Sequence, residues 1–428
     1  MREQKKALKN GIDLYYIKNP SSHGFFISLF LKAGAMYERP DEAGITHFLE
    51  HITIRNINAS MGGGLYPLLD KNGIEFNAST FSEMVQFYVA GASSNFDIGA
   101  DIISKIASPI ILTSADISTE RGRIKAEIRE NDEKNSLLGF TNGIVNEGTS
   151  LSGSITGTLG SVSGINRKRL EEYRKRVFTS ENLFLYVTGN FTNEAINRLA
   201  ELVGSWELQD GEIHNNIAPV CKFFGKRALT SHIKGGDFTM IRFNFDVDMS
   251  RVTMAETDLL YDILFGGYSS RFFVEMSEKR GLIYDISGNV ERYKNIGSFA
   301  FSFEIRADQL IGAIKLVFDL LYAITKDTLD DSMCMKAGYV KNGCLLADDQ
   351  RELNFTFAYD NHIMNEGYST LEERAARYER VTPEDIRHTA KHIFAPENMT
   401  LAIKGNKKRI NKAEIDKLIL NYKERLYS

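Results

Sequence analysis

Phe178-Thr179-Ser180-Glu181-Asn182-Leu183-Phe184-Leu185-Tyr186-Val187-Thr188-Gly189-Asn190 decides the fold, because it returns as Phe394-Ala395-Pro396-Glu397-Asn398-Met399-Thr400-Leu401-Ala402-Ile403-Lys404-Gly405-Asn406. Phe178, Glu181, Asn182, Leu185, Gly189 and Asn190 match Phe394, Glu397, Asn398, Leu401, Gly405 and Asn406, each displaced by 216 residues. Both copies follow a charged helical pattern, Arg169 to Val177 and Asp385 to Ile393, and both read as a short strand closed by a Gly-Asn turn. The displacement is close to half of the 428 residues, and each copy lies near the end of its half, so the chain reads as an internal duplication.

The beginnings of the halves agree. Phe25 to Leu31 and Phe238 to Phe245 are strand-like, and a polar turn and a helical stretch follow each. In the first half that helix carries Gly44-Ile45-Thr46-His47-Phe48-Leu49-Glu50-His51; its counterpart, Met254 to Phe265, has no histidine. Amphipathic helices such as Asp97 to Ile106 and Leu310 to Ile324, mixed with strands, predict an α+β layered fold in each half. The polar, poorly periodic stretch Glu207 to Asn216 sets the boundary, giving domains 1–215 and 216–428. Asn146 to Ser163 is rich in Gly, Ser and Thr, but Leu151, Ile155 and Leu159 recur every four residues, which predicts an ordered loop rather than a linker.

Composition narrows the function. With 52 Lys and Arg against 56 Asp and Glu, there is no broad positive field for nucleic acid or anionic lipid. A 43% hydrophobic and 25% charged chain is globular rather than disordered. No apolar run is continuous enough for a membrane span or a signal peptide, and three scattered cysteines read as reduced thiols, so the expected compartment is cytoplasmic.

His47-x-x-Glu50-His51 is the chemical signal. Residues four apart on a helix lie one above the other, so His47 and His51 can offer two imidazoles to one cation while Glu50 leans over the same face. A hydrolytic zinc ion needs a third ligand and an open position, and a carboxylate placed as Glu50 is suits a general base for water. Downstream, Glu120 and Glu127 are seven apart on a second helical stretch and share a face. They read either as an acidic solvated helix or as a third ligand, Glu127, with Glu120 orienting an imidazole.

These motifs resemble the inverted-zinc-motif metallopeptidases related to insulin-degrading enzyme, pitrilysin and the mitochondrial processing peptidase, family M16, in its short-subunit branch. His51 to Glu127 is 76 positions, matching the family's spacing to its ligand glutamate, and Glu120 falls where the family has an earlier acid. Gly73-Ile74-Glu75-Phe76-Asn77-Ala78-Ser79-Thr80 resembles the family's edge-strand stretch beside the site. Leu151, Ile155 and Gly157 match a family loop, and Gly267, Ser270, Arg271, Phe272 and Glu278 to Tyr284 its second-domain signature.

The resemblance implies a duplicated two-lobed metallopeptidase in which each lobe is an antiparallel-rich sheet packed against helices, and the two lobes enclose a chamber. It implies one zinc per chain on His47, His51 and Glu127, Glu50 as general base, Glu120 behind an imidazole, and Asn77 and Ala78 beside the peptide. The implied activity is endopeptidase cleavage of unfolded peptides or leader segments. One position departs from the pattern. An arginine usually stands seven residues before the tyrosine equivalent to Tyr284; here it is Ser277, with Arg280 as the nearest replacement. Tyr284 can donate to a developing oxyanion, but serine cannot replace a guanidinium. A homodimer, or a heterodimer with a related subunit that supplies the arginine, is therefore expected, the alternative being a mainly structural partner subunit. Gly62-Gly63-Gly64 has no phosphate-loop Lys-Ser or Lys-Thr after it and reads as a turn.

Overall fold

The computed structural model describes residues 1–131, 135–329 and 333–428. Eleven strands among them form two sheets. The first contains β1 (Gln4–Ala7), β2 (Asp13–Lys18), β3 (Gly24–Leu31), β4 (Glu75–Thr80), β5 (Val85–Ala92) and β6 (Leu183–Gly189), in the order β1-β2-β6-β3-β5-β4. The second contains β7 (Leu229–Lys234), β8 (Phe238–Asp248), β9 (Ser287–Arg292), β10 (Ile296–Arg306) and β11 (Met399–Gly405), in the order β7-β11-β8-β10-β9.

Setting β1 aside, the orders are the same, and so is the register. Leu29 on β3 lies opposite Leu185 on β6 and Phe87 on β5; Phe243 on β8 lies opposite Leu401 on β11 and Phe301 on β10. Leu185 and Leu401 are the repeated leucines of the sequence, so the duplication extends to individual cross-strand pairs. Every pair is antiparallel except β2 with β6 and β7 with β11. Those parallel pairs join strands far apart in the chain, as parallel pairing requires.

Apolar side chains on one face of each sheet fill its main core. In the first, Leu29, Phe87 and Leu185 pack with Phe48 and Ile52 of the helix Ile45–Ser60. In the second, Phe243, Phe301 and Leu401 pack with Leu260 and Ile263 of the helix Met254–Phe265. The Phe243 and Phe301 rings stack with centroids 5.0 Å apart. Truncating any of these fully buried side chains to alanine removes about 2–5 kcal/mol.

The chain divides into two compact units that differ from the contiguous halves 1–215 and 216–428. One unit holds Met1–Asp132, Gly153–Asn216 and Cys344–Glu373; the other holds Glu133–Ser152, Ile217–Gly343 and Arg374–Ser428. Each half of the sequence thus gives a segment to the other unit. The physical reason is apolar burial on the second face of each sheet. Leu353, Phe357 and Ala358 of the helix Gln350–Ala358 pack with Ile17, Phe30, Phe184 and Tyr186 of the first sheet. Among these, the Asn354 amide donates to the carbonyls of Phe26 and Tyr186. The helix Leu137–Val145 lies against β8 and β11, and Arg227, paired with buried Asp246, donates to the carbonyls of Ile144 and Val145 at its end. The Gly-, Ser- and Thr-rich stretch is ordered and partly helical, with the short helix Leu159–Gly164 capped by Thr158. No helix among the described residues is long and apolar enough to cross a membrane.

Candidate metal centre

The helix Ile45–Ser60 begins without a side-chain cap at its own N-cap, Gly44, which adopts φ 87°. Its start is held from a distance instead. Buried Glu38 accepts from the N–H groups of Gly44 (2.8 Å) and Thr46 (2.9 Å), and Thr46 Oγ1 lies 2.6 Å from the Tyr173 hydroxyl. Burial raises the Glu38 pKa against the lowering pull of these N–H donors. Gly44 also faces the loop at Gly157: a Cβ on Gly44 would lie 2.6 Å from the Thr156 carbonyl oxygen, and one on Gly157 2.4 Å from the Ala43 carbonyl oxygen. Both glycines have positive φ, so the close approach and the backbone conformation demand glycine together.

One turn into this helix, His47 and His51 face the helix Ser114–Glu130, whose start is fixed by a capping box between Thr113 and Asp116. His47 Nε2 is 3.1 Å from Glu127 Oε2, and His51 Nε2 is 3.8 Å from the same oxygen. One ligand atom from each of the three residues lies within 4.8 Å of the others. Zinc bonds of about 2.0–2.2 Å in tetrahedral geometry place ligand atoms roughly 3.4 Å apart, so this donor set fits a zinc ion with little rearrangement. Two imidazoles and one carboxylate also match the composition of a hydrolytic zinc site that keeps a fourth position open.

The groups behind the ligands are ordered in turn. His51 Nδ1 lies 3.4 Å from Glu120 Oε2, and Glu120 is buried. Glu120 also receives Arg55 Nη1 at 2.8 Å and Arg123 Nη1 at 3.2 Å, while Arg55 Nη2 reaches Asp116 at 2.9 Å. Arg55 therefore joins the two ligand-bearing helices and holds the carboxylate that orients His51. Glu50 is buried beside His47, 3.8 Å from its Nδ1, and the Thr80 hydroxyl at the end of β4 donates to Glu50 Oε2 at 2.5 Å. Burial pushes the Glu50 carboxyl above the usual carboxylate range; Thr80 and His51 pull it back, and Glu127 adds to the rise. A basic, largely desolvated carboxylate is what proton transfer from water calls for.

The structure brings His47, Glu50, His51, Glu120 and Glu127 together. Asn77 and Ala78 lie on β4, the edge strand next to β5, and Asn77 is exposed with its side-chain Oδ1 accepting from the Ala78 N–H at 2.9 Å. Tyr284 and Arg280 belong to the other unit. Tyr284 is 98% exposed, while Arg280 is engaged locally by the carboxylate and the backbone carbonyl of Glu275, the latter at 2.8 Å. The sequence reading missed Glu38, Arg55, Asp116 and Thr80. Only Arg55 had a usable signal, four residues beyond His51 and so on the same helix face.

Two family models match the chain. Residues 14–158 match the one described as insulinase, peptidase family M16, and residues 164–333 the one described as the peptidase M16 inactive domain. A Rickettsia felis protein described as an uncharacterized zinc protease is 25% identical over 390 residues, 91% of this chain and 94% of that one. The fold is that of a protease from Helicobacter pylori, at a TM-score of 0.82 and 17% identity over 94% of this chain and 99% of that one. The periplasmic protease PqqL from Escherichia coli matches at a TM-score of 0.80 and 17% identity, covering 98% of this chain and 50% of the longer PqqL chain.

Proposed function

Because the chain belongs to peptidase family M16 and is a zinc metalloprotease, we propose that it is an endopeptidase of the short-subunit branch acting on unfolded peptides or leader segments. The observation that carries this reading is the convergence of His47 and His51 on Glu127 with buried Glu50 beside them. His47, His51 and Glu127 hold one zinc ion per chain. When bound, zinc supplies Lewis acidity to water and to the scissile carbonyl. Glu50 takes the proton of the attacking water and passes it to the leaving amine. Thr80 fixes one Glu50 oxygen so that the other is free to move that proton, and Glu120 holds the His51 ring in its tautomer. An extended peptide adds alongside β4, with Asn77 and Ala78 contacting its backbone. The Tyr284 hydroxyl donates to the developing oxyanion. Metal chemistry is assigned to domain 1–215 and peptide contact also to the homologous domain 216–428. The three free thiols support a reducing, cytoplasmic setting.

A second reading, a subunit that needs a related partner, is favoured by Ser277 and by the local engagement of Arg280, which leave no free guanidinium in the Glu278 to Tyr284 stretch. The match to half of PqqL agrees with a unit of this size working beside a second one. Incubating the zinc-loaded chain with a pool of unstructured peptides, with Glu50→Gln as control, separates the readings by mass spectrometry. Cleavage by the wild type alone establishes an autonomous endopeptidase. Bound zinc without cleavage, joined to a dimer in light scattering or activity restored by a homologous chain, establishes the divided enzyme.

A further inference from the structure

The helix Arg167–Val177 and the turns at 107–110 and 207–209 enclose a cavity of about 390 Å³ in the first unit. It shares no residue with the metal centre. Its walls carry a cation with spare donors. The Arg174 guanidinium packs 5.2 Å from the Phe178 ring centroid and gives one hydrogen bond, from Nη1 to the Ser108 carbonyl at 2.7 Å. No carboxylate lies within 4.0 Å of it among the described residues. Of the neighbouring charges, Arg167 is spent on Glu171 and on the carbonyls of Ile110 and Leu112, so that pair is neutral. Lys175 is exposed at the rim, with Glu207 as the remaining carboxylate. Burial lowers the Arg174 pKa to about 10, against a weaker opposing pull from the Glu171 carboxylate.

We propose that this cavity binds a small organic oxyanion, a phosphate or carboxylate carried on a flat apolar body. Arg174 presents the planar N–H fork suited to paired oxygens, Lys175 adds a second positive charge, and Phe178, Ile110 and Leu208 give the apolar walls. The ligand would touch the loop that carries Pro109, and Asn56 of the histidine-bearing helix clips that loop at the Pro109 carbonyl (3.0 Å) and the Ile111 N–H (2.8 Å). The site is thus one hydrogen-bonded step from the histidine-bearing helix.

Calorimetric titration of the full chain with phenyl phosphate, benzoate and inorganic phosphate tests this. Saturable binding of phenyl phosphate or benzoate at one site per chain is expected, tighter than inorganic phosphate by at least tenfold, and the stronger of the two assigns the head group. Arg174→Gln should weaken it at least tenfold while zinc content is unchanged. Lys175→Glu, at an exposed position that does not threaten folding, should weaken it severalfold, and Leu208→Trp should block the cavity. Absence of saturable binding by the wild type, or binding that survives both Lys175→Glu and Leu208→Trp, overturns the proposal.

Discussion

The helix Ile45–Ser60 and its counterpart Met254–Phe265 follow equivalent strands of duplicated sheets, yet they are anchored by different means. The second caps itself, through a capping box of Thr253 and Glu256 within its first turn, and takes its lateral ties from Arg292 on Thr257 and Asp258 and from Tyr378 on Asp258. The first takes its cap from Glu38, its close packing from Gly157, and its lateral ties from Arg55 and Thr80. A helix that must present His47, Glu50 and His51 at fixed angles has even its start set by tertiary contacts, whereas its counterpart starts on a cap from local sequence. Both copies share the frame, and the copy that carries the metal ligands is the one whose helix is capped from a distance.

The comparison breaks most visibly at the base. Glu50→Gln should lower kcat by about 10²–10⁴-fold, with zinc content retained, while Glu256→Gln, in the capping box of the counterpart helix, should leave kcat unchanged; stopped assays on one peptide measure both. The anchoring difference predicts unequal stability losses. Gly44→Ala, at φ 87° and facing the Thr156 carbonyl, should cost about 3 kcal/mol in urea unfolding, and Thr253→Ala only about 1 kcal/mol. Arg55→Met should reduce zinc affinity about 10–100-fold in competition with a chelator, because Glu120 loses its main partner; an affinity equal to wild type would show that Glu120 needs no such support.

The smallest effect is shared by both copies. His214, stacked on Tyr37 with centroids 3.9 Å apart, and His392 are each lowered below 6.5, chiefly by burial. The fold therefore favours their neutral forms. Their contribution is complete above about pH 6.5 and is lost as the pH falls, because the unfolded chain then binds more protons. Scanning calorimetry from pH 7.5 to 5 should show Tm falling, with a shallower slope in His214→Gln.

Much of this was legible beforehand. The 216-residue repeat marked the paired strands, and the spacing of His47, Glu50 and His51 fixed a helix face. Glu127 was harder: residues on separate helices obey no spacing rule, and only the family resemblance singled it out. Thr80 was quoted without a role, since a hydroxyl at the end of a strand says nothing of what lies across from it. The exchanged helices were unreadable for a related reason. An amphipathic pattern states that Gln350–Ala358 has an apolar face to bury, but either sheet would satisfy it, and the choice rests on shape matching with Phe30, Phe184 and Tyr186.

That exchange leaves neither contiguous half of the chain self-contained. The backbone changes unit after 132, 152, 216, 343 and 373, so a protease that cuts once at the middle produces two fragments that each keep their main core but are parted from a helix packed on their sheet. Each would carry a helix that the other lacks, so each alone would expose sheet surface that the intact chain covers.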